Sequence, residues 1–322
     1  MIQSKRRLLG QPFVDTENGL FSLAEVSEER IHRLVQRSVE LFEDRADHSR
    51  PLASTIVGVL FAKTSTRTRT AFSAAALRLG GQILTFGPDE LQLATGESLE
   101  DTARVFGRML DILVIRTAGP VEQMRRISRY GRLPVINAMA SEEHPSQGIC
   151  DLATVKLYFG RVETVKILYM GEGNNTAASL LNGIAHYQGC ELTLMTPPSY
   201  GIHEDVFSAA QKRAMANGTR IRQVHSLEQL PGDVDVVYAT RWQTTGTTKH
   251  GTAWREEFRS FYVDESLMGR WPNAVFMHDL PAHRGDEVST AVLEGTQTLA
   301  WTQAEMKLAS AMAILESLVL DK

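Results

Sequence analysis

The sequence predicts an α/β protein of two doubly wound parallel-sheet domains of similar size, with a C-terminal helix packing back across them. Three observations carry that expectation. The chain has 322 residues, enough for about two domains at roughly 100–200 residues each. Short apolar runs alternate with segments of helical period, the pattern of parallel strands joined by crossover helices. That alternation starts twice, near residue 55 and again near Thr164.

The elements follow in order. Residues 55–62, TIVGVLFA, form an apolar run of strand length. A helix over 66–79 places Phe72, Ala75, Ala76 and Leu79 on one face and stops at Gly80-Gly81. Strands at 82–86, 111–115 and 133–137 alternate with helices at 98–110, 120–130 and 147–159. The second cycle opens with a strand at 165–170, the turn Gly-Glu-Gly-Asn-Asn and a helix over 175–188. Strands at 190–195, about 221–224, 234–239 and 274–278 follow, with helical stretches between them. A last helix over 301–320 repeats Met306, Ala309, Ala313, Leu315 and Leu320. We expect one domain over 1–152, joined by the C-terminal helix at about 300–322, and a second over 153–299.

Composition excludes several classes of function. The formal net charge of -4 offers no basic surface for nucleic acid. No apolar run approaches the ~18 residues of a membrane span, and the first residues lack a secretory apolar core. Cys150 and Cys190 are too few for a disulfide framework or a cysteine-rich metal site. A cytoplasmic protein with reduced thiols and no metal is expected.

Ligands of open α/β sheets bind beyond the carboxyl ends of the strands. After strand 55–62 come Lys63-Thr64-Ser65-Thr66-Arg67-Thr68-Arg69-Thr70 and then a helix. Unpaired N–H groups and the helix dipole favour an anion there. The hydroxyls of Ser65, Thr66 and Thr68 add donors, and the Arg67 guanidinium can grip two phosphate oxygens. The competing reading is an ordinary Ser/Thr helix cap on a solvated basic turn. A nucleotide P-loop is excluded, because G-x-x-x-x-G-K-[ST] is absent.

Ser65-Thr66-Arg67-Thr68-Arg69 resembles the S-T-R-T-R signature of the aspartate/ornithine carbamoyltransferase family. Further matches follow in order along nearly the whole chain. Glu97–Val105 is similar to the family's swinging-loop segment, and Arg116 follows strand 111–115. His144-Pro145-Ser146-Gln147 resembles H-P-T-Q, Gly171–Asn175 opens the second domain, and His278-Asp279-Leu280-Pro281-Ala282 resembles H-C-L-P-A. The resemblance implies transfer of a carbamoyl group from carbamoyl phosphate to an amine, with no metal or organic cofactor. It implies that Ser65, Thr66, Arg67 and Thr68 hold the phosphate, and that Arg116 reaches both phosphate and carbonyl oxygen. His144 and Thr68 would donate to the carbonyl oxygen. Gln147 and the Leu280 backbone carbonyl would fix the carbamoyl nitrogen. Lys307 stands where ornithine-type members present an arginine to carbamoyl phosphate. Arg69 should point away along its helix. The resemblance also implies a homotrimer, or a multiple of trimers, in which the loop 88–98 reaches a neighbouring subunit's site with Gln92. Thr95 stands where aspartate-type members have a lysine, and the loop has none.

The acceptor side departs from both branches. Asn175 matches the ornithine-type asparagine, whereas Arg241-Trp242-Gln243 resembles the aspartate-type R-x-Q. Thr240 replaces the aspartate that grips ornithine's amino group, and Asp279 replaces a cysteine or proline. With Arg241 for a carboxylate and Asp279 for an ammonium, or as proton acceptor for the amine, the expected acceptor is a small diamino acid, ornithine-like or shorter. The acceptor set is then Asn175, Thr240, Arg241, Gln243 and Asp279. A purely structural Asp279–Arg284 pair is the competing role. Aspartate-type transfer and an inactive binding homologue are the alternative functions. A nicotinamide oxidoreductase is disfavoured, since Gly171-Glu172-Gly173 lacks the third glycine and Leu194–Pro197 carries no acid for a ribose.

Overall fold

A computed structural model describes residues 19–44, 49–87, 90–244 and 246–320. Residues 1–18 and 45–48 of the expected first domain, 88–89 of the expected loop, 245, and 321–322 of the expected last helix lie outside the described residues.

Helix α1 (Glu28–Glu43) comes first, capped by the Ser27 side chain, which accepts from Arg30 N. The first sheet is built from β1 (Ile56–Phe61), α2 (Arg67–Arg78), β2 (Gln82–Phe86), α3 (Leu99–Met109), β3 (Ile112–Arg116), α4 (Val121–Gly131) and β4 (Val135–Asn137). Its strands are parallel in the order β2-β1-β3-β4. Helix α5 (Pro145–Phe159) leads to the second sheet and runs unbroken through residue 152, where the division between domains was expected.

The second sheet contains β5 (Lys166–Met170), α6 (Asn175–Ile184), β6 (Glu191–Met195), α7 (Glu204–Ala216), β7 (Arg220–Val224) and β8 (Val236–Ala239). After it come α8 (Ala253–Phe258), α9 (Glu265–Met268), β9 (Val275–His278), α10 (Thr290–Leu293) and α11 (Ala300–Leu320). All strands are again parallel, in the order β7-β6-β5-β8-β9. The expected alternation is therefore present in both halves. One boundary moves by more than two residues: α6 ends at Ile184 rather than near 188, because the His186 and Tyr187 amides turn back to Gly183 and Ile184.

Both sheets reverse direction of winding at one point, between β1 and β3 in the first and between β5 and β8 in the second. Ligands of such sheets collect at these points. One apolar cluster spans both halves, with Ile149 and Leu152 of α5, Leu180 and Leu181 of α6, and Ile314 of α11. Helix α11 packs on α1, α2 and α5 and is buried over most of its circumference, which explains its apolar composition. Among the described residues no helix is long and apolar enough to cross a membrane.

Candidate active site

A cavity of about 250 Å³ lies between the carboxyl ends of the two sheets. Its first wall is the turn from β1 into α2. Ser65, Thr66, Arg67 and Thr68 line it, with Thr64 beside them. Thr66 caps α2 in position only, since its side chain makes no capping hydrogen bond. The amides of the first turn are thus left for a ligand, against the competing reading of an ordinary cap. Arg69 is exposed and does not line the cavity, as expected.

The second wall comes from the ends of β3 and β4, the start of α5, and α11. Arg116, the last residue of β3, is buried, and its Nε has no hydrogen-bond partner among the described residues. Burial, and then the neighbouring Arg67, pull its pKa down to about 10. Burial likewise lowers Arg67, opposed by Asp279. Both guanidiniums remain charged near neutrality, so the wall is cationic.

His144 directly precedes α5, whose first residue is Pro145. Its backbone N–H donates to Ser179 Oγ at 2.8 Å, fixing the turn against α6. Burial, then Lys307 and Arg116, hold the imidazole well below its ordinary pKa. It is therefore neutral, and with Ser146 Oγ 3.2 Å from Nδ1, a donating hydroxyl leaves the ring proton on Nε2. Lys307 of α11 reaches into the same wall and hydrogen-bonds Gln147 Oε1. Met139 in this wall and Leu280 in the next hold positive φ, 149° and 51°. Such backbone costs about 1–3 kcal/mol and gathers where geometry serves a ligand.

The third wall belongs to the second sheet. Gly171, with φ 133°, directly follows β5, and a Cβ there would sit 2.9 Å from Thr240 Cγ2. Only glycine lets the β5 and β8 turns approach this closely. The Asn174 side chain then caps α6, accepting from Thr176 N and Ala177 N. Asn175 donates through Nδ2 to Ala140 O at 2.8 Å, bracing the second sheet's helix against the first sheet's loop. Asp279, just past β9, accepts from Thr176 Oγ1 at 2.9 Å and Thr240 Oγ1 at 3.1 Å. His278 anchors this turn: its Nδ1 accepts from Leu280 N at 2.8 Å while Nε2 faces Glu287 Oε1 at 3.3 Å. Arg241 completes the wall.

The structure thus brings together Ser65, Thr66, Arg67, Thr68, Arg116, His144, Gln147, Asn175, Thr240, Arg241, Asp279, Leu280 and Lys307. One expectation is corrected, and one competing reading is removed. Gln243 does not line the cavity; its Nε2 turns to Thr247 O at 2.9 Å. The Asp279–Arg284 pair does not form, because Arg284 pairs with Glu294. Gln92 lies outside this chain's cavity on an exposed turn, where it accepts from Thr95 Oγ1 at 2.6 Å. Sequence reasoning missed Thr176, Asn174, Thr64, Met139, Thr244 and Pro281. Thr176 had one signal, a hydroxyl at the start of a helix that is otherwise largely apolar.

Two doubly wound domains that turn their switch points and four cations onto one small cleft define an enzyme architecture for joining an anionic substrate to a second one. Comparison with known proteins agrees. Residues 18–157 match the aspartate/ornithine carbamoyltransferase carbamoyl-P binding domain, and residues 163–318 match the Asp/Orn binding domain of the same family. An ornithine carbamoyltransferase of Nostoc punctiforme is 36% identical over 302 residues, covering 93% of this chain and 96% of that one. The one from Halorhodospira halophila is 37% identical over 302 residues, covering 93% and 98%. The structure of ornithine carbamoyltransferase from Pyrococcus furiosus superposes with a TM-score of 0.87 at 31% identity, covering 94% of this chain and 97% of that one. The chain belongs to the aspartate/ornithine carbamoyltransferase family. It is a carbamoyltransferase, and its curated relatives are of the ornithine type.

Proposed function

We propose that this carbamoyltransferase moves the carbamoyl group of carbamoyl phosphate to an amine of a small diamino acid, ornithine-like or shorter, giving a ureido product and phosphate. One observation carries the reading. Arg67, Arg116, Arg241 and Lys307 line the cavity, and Asp279 is the only carboxylate among its described lining residues. A phosphate group of about two negative charges and an amino-acid carboxylate suit the cations. A second ammonium suits Asp279.

In this reading, the first domain, residues 1–152 with the helix at about 300–322, takes carbamoyl phosphate, and residues 153–299 take the acceptor. Ser65, Thr66 and Arg67 hold the phosphate. Arg116, Thr68 and neutral His144 donate to the carbonyl oxygen as charge grows there. Losing one such donor costs roughly 10²–10³ in rate. Gln147 and the Leu280 carbonyl hold the carbamoyl nitrogen, and Lys307 adds charge. The acceptor's neutral amine attacks the carbonyl carbon, the C–O bond to phosphate breaks, and the amine's proton leaves with the phosphate. Arg241 and Asn175 take the acceptor's carboxylate, while Asp279, steadied by Thr240, takes its other ammonium. Two reactants held in one cleft supply much of the acceleration.

A homotrimer in which Gln92 serves a neighbouring subunit is part of the proposal. The exposed apolar side chains Leu84, Val105 and Met109, on β2 and α3, support a subunit contact. A cytoplasmic setting is in keeping with two free, buried thiols.

The test is product formation from carbamoyl phosphate with ornithine, 2,4-diaminobutyrate, 2,3-diaminopropionate, lysine, putrescine and aspartate. One diamino acid should dominate. Asp279→Asn should lower its kcat/KM roughly 10–100-fold, the worth of a charged hydrogen bond, with the KM for carbamoyl phosphate little changed. Unchanged selectivity and rate would remove Asp279 from acceptor recognition. Preference for aspartate would restore the aspartate-type reading, and binding without any turnover would favour an inactive homologue.

A further inference from the structure

A carboxylate behind the cavity has no part in the chemistry above. Asp151, on α5 one turn beyond Gln147, is fully buried. Its Oδ1 accepts from Gln147 Nε2 and from Gln303 Nε2, each at 2.6 Å, and its Oδ2 accepts from Tyr238 OH at 3.1 Å. Those partners come from α5, α11 and β8, so the carboxylate sits where the second sheet meets α5 and the C-terminal helix.

The consequence lies in the direction of the Gln147 amide. An amide has one face that accepts and one that donates, and they differ little in shape. The two neighbours of Gln147 set that direction: Asp151 Oδ1 accepts from Nε2, while Lys307 Nζ donates to Oε1. Burial raises the pKa of the Asp151 carboxyl to about 7, with its bonds from Gln147 and Gln303 pulling the other way. The oxygen therefore stands on the side of Lys307, which lines the cavity with Gln147 itself. A carbonyl oxygen has two acceptor directions, so Oε1 can meet Lys307 and one further donor.

We propose that Asp151 is a positioning residue: by holding Gln147 Nε2 it presents Gln147 Oε1 as the acceptor that recognises the NH₂ of the carbamoyl group. Asp151 itself touches no substrate. Its role is to make the site read an amide against a group of the same shape without N–H donors. This rests on the carbamoyl phosphate reading above, and the test separates the two.

Two phosphonates make the comparison. Phosphonoacetamide carries –C(=O)NH₂ and acetonylphosphonate carries –C(=O)CH₃ on the same phosphonate. Binding of each to the full-length protein is measured by calorimetry. The wild-type protein should prefer the amide about tenfold, as one satisfied buried hydrogen bond predicts. Asp151→Leu should bring that ratio close to one while binding acetonylphosphonate within about threefold of wild type. Asp151→Asn, which can still turn an oxygen toward Gln147 and Gln303, should keep the ratio. If Asp151→Leu fails to fold, Asp151→Ser, whose hydroxyl is too short to reach Gln147, carries the same expectation. A ratio preserved in the Leu or Ser variant overturns the assignment. So does an equal weakening of both analogues, which would mark general damage to the fold, or a wild-type protein that does not discriminate. A wild-type protein that binds neither analogue refutes the carbamoyl phosphate reading, and the assignment with it.

Discussion

Thr176 and Thr240 both direct their hydroxyl protons to Asp279, one from the first turn of α6 and one from the end of β8. This fixes which edges of the carboxylate remain for a ligand. A Thr176→Val variant keeps the shape of the side chain and removes one of those bonds. Its acceptor KM should rise about tenfold, since a hydrogen bond to a charged group is worth ~1.5 kcal/mol or more. The KM for carbamoyl phosphate should stay the same, and steady-state kinetics with each substrate varied in turn separates the two. The residue scale also shows what sequence could reveal. Ser65–Thr68, Arg116 and His144 were legible because packing does not call for such side chains at strand ends. Thr176 was not, because a threonine in a helix's first turn is ordinary by itself. Only the fold brings positions 176, 240 and 279 together. The Arg284–Glu294 pair was equally hidden, because a charged side chain's partner is chosen by geometry that spacing does not give.

Among the elements, the segment after β8 is held to the segment after β5 by Lys249 and Thr244, which both meet Glu172. Lys249 Nζ lies 2.9 Å from Glu172 Oε1 and hydrogen-bonds the Trp242 carbonyl. It also sits over the rings of Tyr200, Phe258 and Trp254, at 4.5, 4.7 and 5.2 Å. Thr244 donates to the other Glu172 oxygen through N and Oγ1. Arg241 and Thr244, both lining the cavity, are carried by this pinned segment. Lys249→Met keeps the apolar stem but takes the cation from Glu172, leaving it the Thr244 hydrogen bonds, and should cost on the order of 2–4 kcal/mol of stability. It should also raise the acceptor KM more than the carbamoyl phosphate KM. Thermal unfolding and kinetics check both parts, and equal effects on the two KM values would detach the segment from acceptor binding. Strands and crossover helices were legible because their periods differ. Helix α1 went unnamed although Ile31, Leu34, Val35 and Val39 repeat at helical spacing beyond the Ser27 cap. It lies outside the strand–helix alternation that organised the reading. Lys249 sat in a polar stretch with no period, and its aromatic surroundings arise from distant chain.

At the scale of the whole molecule, Glu143 is the tie that sets His144 in place. Its carboxylate accepts from Ser22 Oγ, from Leu23 N at 2.8 Å and from Asn182 Nδ2 at 3.2 Å. It thereby joins the segment before α1 and helix α6 of the second sheet to the residue preceding His144. Burial raises its pKa from 4.5 to about 7, with those hydrogen bonds pulling the other way. Between these two values the folded protein holds a proton that the unfolded chain has released. Stability from this group is therefore fully present below 4.5 and is lost as pH rises to about 7, beyond which its contribution is level. Glu143→Gln removes the titration and keeps a side chain of the same shape. The wild-type protein should have its largest advantage over the variant at the acid end, and that advantage should shrink steadily toward pH 7 and then stay constant. Thermal unfolding of both proteins across this range measures the difference directly, so that titrations common to both cancel. A difference that does not change with pH would mean that Glu143 is ionised throughout, with its three donors outweighing burial. A difference that grows with pH would reverse the sign and place the group below its ordinary range. Because the same carboxylate braces the turn before α5, the variant's kcat should fall together with its stability rather than independently of it.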